Sequence, residues 1–201
     1  MDYNMAQLEE IGISDGLFIL REQGERAFNR LRALILEVPD GQPLVLRFPP
    51  DQLMDASFAD ESILRLAEEV IEGQHGNRGI LLEGLSENSI HNIEAAIHFQ
   101  GLKLAFLVIE RDSSWRLIGH LETNLKETLQ IVAQRTQITA PELSGLLGIA
   151  INTASNRLKR LYDRRLVWRT YEITAKGLQY VYHFWEWGRN PGGAESSGGI
   201  E

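Results

Sequence analysis

Cysteine is missing from the chain altogether, which excludes disulfide frameworks, zinc–thiolate sites, iron–sulfur clusters and cysteine nucleophiles. Long apolar runs are missing too. Leu17 to Leu20 and Leu104 to Ile109, the longest, are far too short to span a bilayer, and the opening MDYNMAQLEE has no basic stretch followed by an apolar one. A cytoplasmic protein is expected. Positive charge is also in deficit: 20 Lys and Arg stand against 28 Asp and Glu, a net charge of -8, which taken alone argues against nucleic acid. Signatures of catalysis are absent as well. The chain has no P-loop and no H-E-x-x-H, and Arg21-Glu22-Gln23-Gly24 lacks the glycines of a dinucleotide fingerprint. Gly12-Ile13-Ser14-Asp15-Gly16 matches G-x-S-x-G but precedes the first expected strand, so it reads as a turn and not as a nucleophile elbow. The five histidines are scattered, with His91 and His98 one i,i+7 pair, of which one is expected packed and one solvated. Glu68, Glu69 and Glu72 read as a solvated helix face. No enzyme, no cofactor and no metal site is expected.

What is present is ordinary globular composition: 201 residues, 43% of them hydrophobic, enough for one large domain or two small ones without a staple. The net charge hides a division. Residues 1–120 carry 10 basic and 20 acidic side chains, whereas residues 121–201 carry 10 and 8. Within Ala150 to Arg189 the count is eight basic against three acidic. Such asymmetry points to two modules with different partners, the acidic one facing away from any phosphate.

The first half alternates strands and helices. Leu17 to Leu20 is a short apolar run suited to a buried strand, and Arg21 to Val38 puts Ala27, Leu31, Leu34 and Ile35 on one helical face before Pro39-Asp40-Gly41 stops it. Leu44 to Phe48 reads as a strand closed by Pro49-Pro50, Ser57 to Gly73 as a helix, Ile80 to Leu82 as a strand, Glu87 to Phe99 as a helix and Leu104 to Ile109 as a strand. Strands without polar alternation are buried on both faces, as in a parallel sheet covered by helices. The first half is therefore α/β. Trp115 to Ile118 has the character of an edge strand.

From Leu121 the pattern turns helical. Leu121 to Gln134 carries Leu125, Leu129 and Val132 and either links the modules or begins the second. Thr139 and Glu142 form a T-x-x-E capping box, flanked by Ile138 and Leu143 as a hydrophobic staple, with Pro141 in the first turn. That helix ends at Gly148. A second helix, about Asn152 to Arg164, buries Ala154, Leu158 and Leu161 and turns outward Asn152, Thr153, Ser155, Asn156, Lys159 and Arg160, residue types that bond base edges and phosphates. Arg164, Arg165, Arg169 and Lys176 add charges suited to the backbone on either side of a groove. Arg165 to Thr174 is expected as a tight two-strand turn, Ala175 to Trp187 as a closing helix whose aromatics form core or a dimer seam, and residues 189–201 as a disordered Gly/Ser tail.

On Ile138-Thr139-x-x-Glu142-Leu143, Leu147-Gly148-Ile149, the block Thr153 to Leu161, and Leu166-Val167-x-Arg169 followed by Tyr171-Glu172-Ile173-Thr174-x-x-Gly177, residues 121–188 resemble the winged helix-turn-helix domains of bacterial transcription regulators. The resemblance implies double-stranded DNA as partner and a homodimer on a palindromic site. Two positions depart from the pattern: Ala150 stands where Ser or Thr often caps the recognition helix, and Arg165 where Gly is usual, so a left-handed backbone there is strained.

In the first half two strand-to-helix junctions stand out, Leu20 to Gly24 and Asp55 to Glu61. Ser57, with Asp60 three residues on, reads as a helix cap; the alternative is a phosphorylation site favoured by the helix dipole. Through Arg21-x-x-Gly24, Ser57-Phe58-Ala59-Asp60-Glu61 and Leu81-Leu82-x-Gly84-Leu85-Ser86, the stretch from about Gly16 to Arg111 resembles a STAS-like domain of the kind related to anti-sigma-factor antagonists, which implies such a domain over residues 1–120. That implies a docking surface around Ser57 for a protein partner, a kinase-like ATPase or a toxin-like protein. The expected function is a DNA-binding transcription regulator whose STAS-like half senses a signal or binds a protein. The competing reading is a partner-switching or antitoxin-like adaptor whose winged helix serves assembly.

Overall fold

The computed structural model describes residues 1–5, 17–49, 52–112, 114–175 and 177–187. The Gly12 to Gly16 motif, Pro50, Lys176 and the tail from 189 lie outside them. The described chain is mixed α/β. Its main sheet has the order β1 (Asp2–Asn4), β3 (Pro43–Arg47), β5 (Gly79–Glu83), β6 (Ala105–Ile109), β7 (Trp115–Gly119). The first four run parallel and β7 is antiparallel to β6, so the sheet is mixed.

Two expectations about its edges are corrected. The run Leu17 to Leu20 does not enter this sheet. Only Leu17–Phe18 is extended, as β2, and it pairs with β4 (Leu53–Met54) in a separate two-stranded ribbon. The chain turns into a helix at Leu20, whose φ of 75° breaks the strand, and of the four residues only Phe18 is buried. The edge position is taken instead by β1, which carries a single buried residue, Tyr3, between polar neighbours and so has no strand signature of its own.

Period-two alternation divides the central strands between two apolar clusters. Leu44 and Leu46, Ile80 and Leu82, and Phe106 and Val108 point to one face, where they meet α1 (Arg21–Glu37), the stretch Ala56–Ile71 and α4 (Glu87–Gln100). Ala56–Ile71 comprises α2 (Ala56–Ala59), a π-helical turn (Asp60–Leu64) and α3 (Arg65–Ile71). Val45, Leu81, Ala105, Leu107 and Ile109 point to the other face, and what covers them comes from the C-terminal half. Leu125, Leu129 and Val132 of α5 (Thr123–Arg135) join this cluster, so the segment that reads as a possible linker lies within the shared core. Leu158 and Leu161 of a later helix, with Leu166, Val167, Phe184 and Trp185, complete it.

The C-terminal half continues with β8 (Gln137–Thr139), α6 (Ala140–Leu147), α7 (Ile151–Asp163), β9 (Trp168–Thr174) and β10 (Gly177–His183), the strands ordered β8-β10-β9 and antiparallel. The expected closing helix over Ala175 to Trp187 is corrected to β10. Its aromatics recur every second residue, Tyr180, Tyr182 and Phe184, a period that suits a strand, and aromatic and β-branched side chains fit a pleated surface. The expected two-strand turn over Arg165 to Thr174 is accordingly one strand of a longer hairpin, and this half is less helical than anticipated. Among the described residues, no helix is long and apolar enough to cross a membrane.

The halves meet most tightly where β5 begins. A Cβ on Gly79 would lie 2.5 Å from Cζ2 of Trp185, an indole 2% exposed whose Nε1 donates to the Arg165 carbonyl at 3.0 Å. Gly79→Ala must therefore displace a packed ring. It is expected to lower stability by about 1–3 kcal/mol, read as a lower denaturant midpoint with an unchanged slope.

Candidate nucleic-acid interface

The helix pair α6–α7 is built as its sequence requires. Thr139 Oγ1 accepts from the Glu142 backbone N–H and Glu142 Oε2 accepts from the Thr139 N–H at 2.8 Å, which closes the capping box. The Thr139 hydroxyl also donates to Glu142 Oε2 at 2.7 Å, and that bond first, with the one from the Thr139 N–H, holds the Glu142 carboxyl below its ordinary protonation range. At the other end of α6, Gly148 takes the left-handed conformation, φ 63°, and Ser144 Oγ donates to the Ile149 carbonyl at 2.6 Å, fixing the turn into α7. Ala154, Leu158 and Leu161 are fully buried, so the angular position of α7 is set by the core. Ala150 is its N-cap and supplies no side-chain acceptor.

The nine residues expected at DNA divide into two groups. Asn152, Thr153, Asn156, Lys159 and Arg160 are exposed along α7, and Ser155 is half-buried. Lys159 Nζ lies 2.6 Å from Asp163 Oδ2 and Arg160 Nη2 lies 2.5 Å from Glu122 Oε1. Ion pairs as open as these are worth about 0–1 kcal/mol, so either cation can be drawn off by a phosphate. Arg164, Arg165 and Arg169 are committed inward. Arg164 bonds Glu122 at 3.1 Å and the His120 carbonyl at 3.1 Å, with its side chain only 13% exposed. Arg165 adopts φ 56° in place of the usual glycine, donates to the Val70 carbonyl at 3.2 Å and lies over the Tyr162 ring. Arg169 is sandwiched between Tyr162 and Tyr180, 4.0 and 4.2 Å from the ring centroids.

Two residues absent from the sequence-based set organise this surface. Glu122, just before α5, holds Arg160 and Arg164 together. Burial raises its proton affinity, but its own backbone N–H and the two arginines outweigh that, and the carboxyl stays below its ordinary range. Tyr162 donates its hydroxyl to Asn77 Oδ1 across the two halves and forms, with Arg169, Thr170, Tyr171 and Tyr180, a cleft of about 500 Å³. Neither has a sequence signal, because each acts on a partner dozens of residues away.

In the α/β half the two singled-out junctions are brought together. Arg21 bonds Asp60 at 2.8 Å and also Glu61, and Gly24 packs so closely on α2 that an added Cβ would lie 2.9 Å from the Phe58 carbonyl oxygen. Leu20 N–H reaches Asp55 Oδ2 at 3.4 Å. The third stretch joins them: Ser86 caps α4, and Ser89 Oγ accepts from the Met54 N–H at 3.0 Å. Ser57 is exposed but is not the cap. Asp55 is, its Oδ1 accepting from the Phe58 N–H at 2.7 Å, because a carboxylate two residues earlier reaches the free amides first. Two further readings are corrected. Glu69 is not solvated but pairs with Arg32 at 3.0 Å and with the buried His75 at 2.9 Å, while His91 and His98 are both exposed. Among the described residues no three His, Asp or Glu side chains are grouped to hold a metal ion.

The chain matches no protein-family model and no curated protein.

The vacant cap of α7 is directly testable. Ala150→Ser supplies an acceptor for the free N–H groups of the first turn and is expected to raise stability by about 0.5–2 kcal/mol, measured as an upward shift in thermal midpoint.

Proposed function

We propose that the protein is a cytoplasmic DNA-binding transcription regulator, with a winged helix-turn-helix module over residues 121–188 and a STAS-like module over residues 1–120 that takes a signal or a protein partner. The observation that carries this reading is the exposed strip Asn152, Thr153, Asn156 and Lys159 on a helix braced by α6 and followed by a protruding hairpin. Asn bonds adenine, Thr serves base or phosphate, and Lys serves phosphate or guanine. Arg160 joins them once Glu122 releases it. Arg164, Arg165 and Arg169, paired within the chain, position the module instead of supplying the first phosphate contacts.

One observation favours the adaptor reading. Every cation on α7 has a carboxylate partner, Arg157 with Glu127, Lys159 with Asp163 and Arg160 with Glu122, so the helix presents less free charge than its sequence suggests. Titration of duplex DNA at several salt concentrations separates the two. In the regulator reading the parent binds, Lys159→Ala with Arg160→Ala weakens binding and reduces the salt slope by about 2, and Glu122→Gln strengthens it. A parent that binds no DNA at low salt leaves the adaptor.

Ser57 keeps both roles open to modification and docking, being exposed beside Asp55 and Asp60. Phosphoprotein mass spectrometry of the native protein is expected to find it modified if the STAS-like half is switched by a kinase-like partner. An unmodified Ser57 across growth conditions assigns the surface to docking alone.

A further inference from the structure

The hairpin β9–β10 is two-faced. Direct cross-strand pairing sets Ile173 opposite Leu178 and Tyr171 opposite Tyr180, all on one face, while Thr170, Glu172 and Gln179 fall on the other. The apolar face continues the core: Tyr182 at its inner end is buried, and beyond it Tyr180, Leu178, Tyr171 and Ile173 are 42, 59, 65 and 87% exposed. The strands thus run past the body of the protein with their apolar side uncovered. A two-stranded ribbon without a packed face is marginal in water, and an apolar strip of this kind marks an interaction site.

We propose that this face is the seam of a homodimer, covered by the same face of a second copy. Three features select that occupant. The described part of the strip carries one charge, Arg169, and its guanidinium is already held between Tyr162 and Tyr180, so the covering surface must be neutral and apolar. The strip matches itself: one row is aliphatic, Ile173 with Leu178, and the next is aromatic, Tyr171 with Tyr180. A two-fold axis between the rows lays the aliphatic pair of each copy on the aromatic pair of the other, which makes the contact isologous and closed. The area also suffices, since four side chains this exposed offer on the order of 500 Å² per copy, or about 1,000 Å² in the pair, the lower bound of a specific interface. On a closing helix these aromatics are expected to form core or a dimer seam. Tyr182, Phe184 and Trp185 are buried instead, and the seam falls to the outer half of the hairpin.

The proposal stands apart from the DNA reading, because sedimentation and crosslinking test it without nucleic acid. Sedimentation equilibrium of the full chain is expected to give twice the chain mass. Ile173→Glu is expected to halve it with an unchanged circular dichroism spectrum. The absence of cysteine supplies a second measurement that does not depend on that variant folding. A single Ile173→Cys is expected to crosslink to its copy with a short bismaleimide, whereas Glu172→Cys, on the opposite face, is not. A chain that stays monomeric to about 0.1 mM, a dimer that survives Ile173→Glu, or equal crosslinking from both positions overturns the proposal. So does protection of the hairpin from hydrogen exchange only on adding duplex DNA, which assigns the face to nucleic acid.

Discussion

Everything in this fold depends on the second face of the main sheet. Three parallel strands with no polar alternation leave Val45, Leu81, Ala105, Leu107 and Ile109 pointing away from the helices of their own half. Each of the four larger side chains is worth about 1.5–3 kcal/mol buried, against a net stability of only about 5–15 kcal/mol for a typical protein, so the face cannot be left to water. The C-terminal half provides the cover, through α5 and the inner sides of α7, β10 and the segment after it. The charge division and the change of pattern near Leu121 mark a change of architecture, while the second apolar cluster is shared by both halves.

That shared core gives the electrostatics a different meaning. Charges that read as a basic face for phosphate are partly a set of clamps between the halves. Arg164 reaches the His120 carbonyl, Arg165 reaches the Val70 carbonyl, and Arg169 stacks on Tyr162, whose hydroxyl bonds Asn77. Glu122 sits between the clamp and the exposed helix, holding Arg164 on one side and Arg160 on the other.

Positive φ at side-chain-bearing residues falls at junctions between elements, Thr136 after α5 among them. Leu20, with φ 75°, stands where the first helix begins beside Asp55, and Arg165, with φ 56°, stands where α7 hands over to β9. Positive φ costs a side-chain-bearing residue of order 1–3 kcal/mol, and each is retained where its neighbours make contacts across the fold. Around Arg165 these are the Val70 carbonyl and the Trp185 indole.

The sequence by itself determined what depends on neighbours a few residues away. The capping box of Thr139 and Glu142, the buried triplet Ala154, Leu158 and Leu161, the uncapped start at Ala150 and the two-sided burial of the central strands all follow from local spacing, because hydrogen bonds at i+3 and side-chain periods of 3.6 or 2 are written directly in residue order. Only the tertiary structure decided the rest. β1 is a strand because β3 offers an edge, not because Asp2-Tyr3-Asn4 is apolar. The aromatic segment after Gly177 is a strand because β8 and β9 flank it. Which arginines face solvent and which are spent on carbonyls depended on surfaces 44 to 95 residues away. Residue order does not encode such distances, since they exist only once both faces of the sheet are covered.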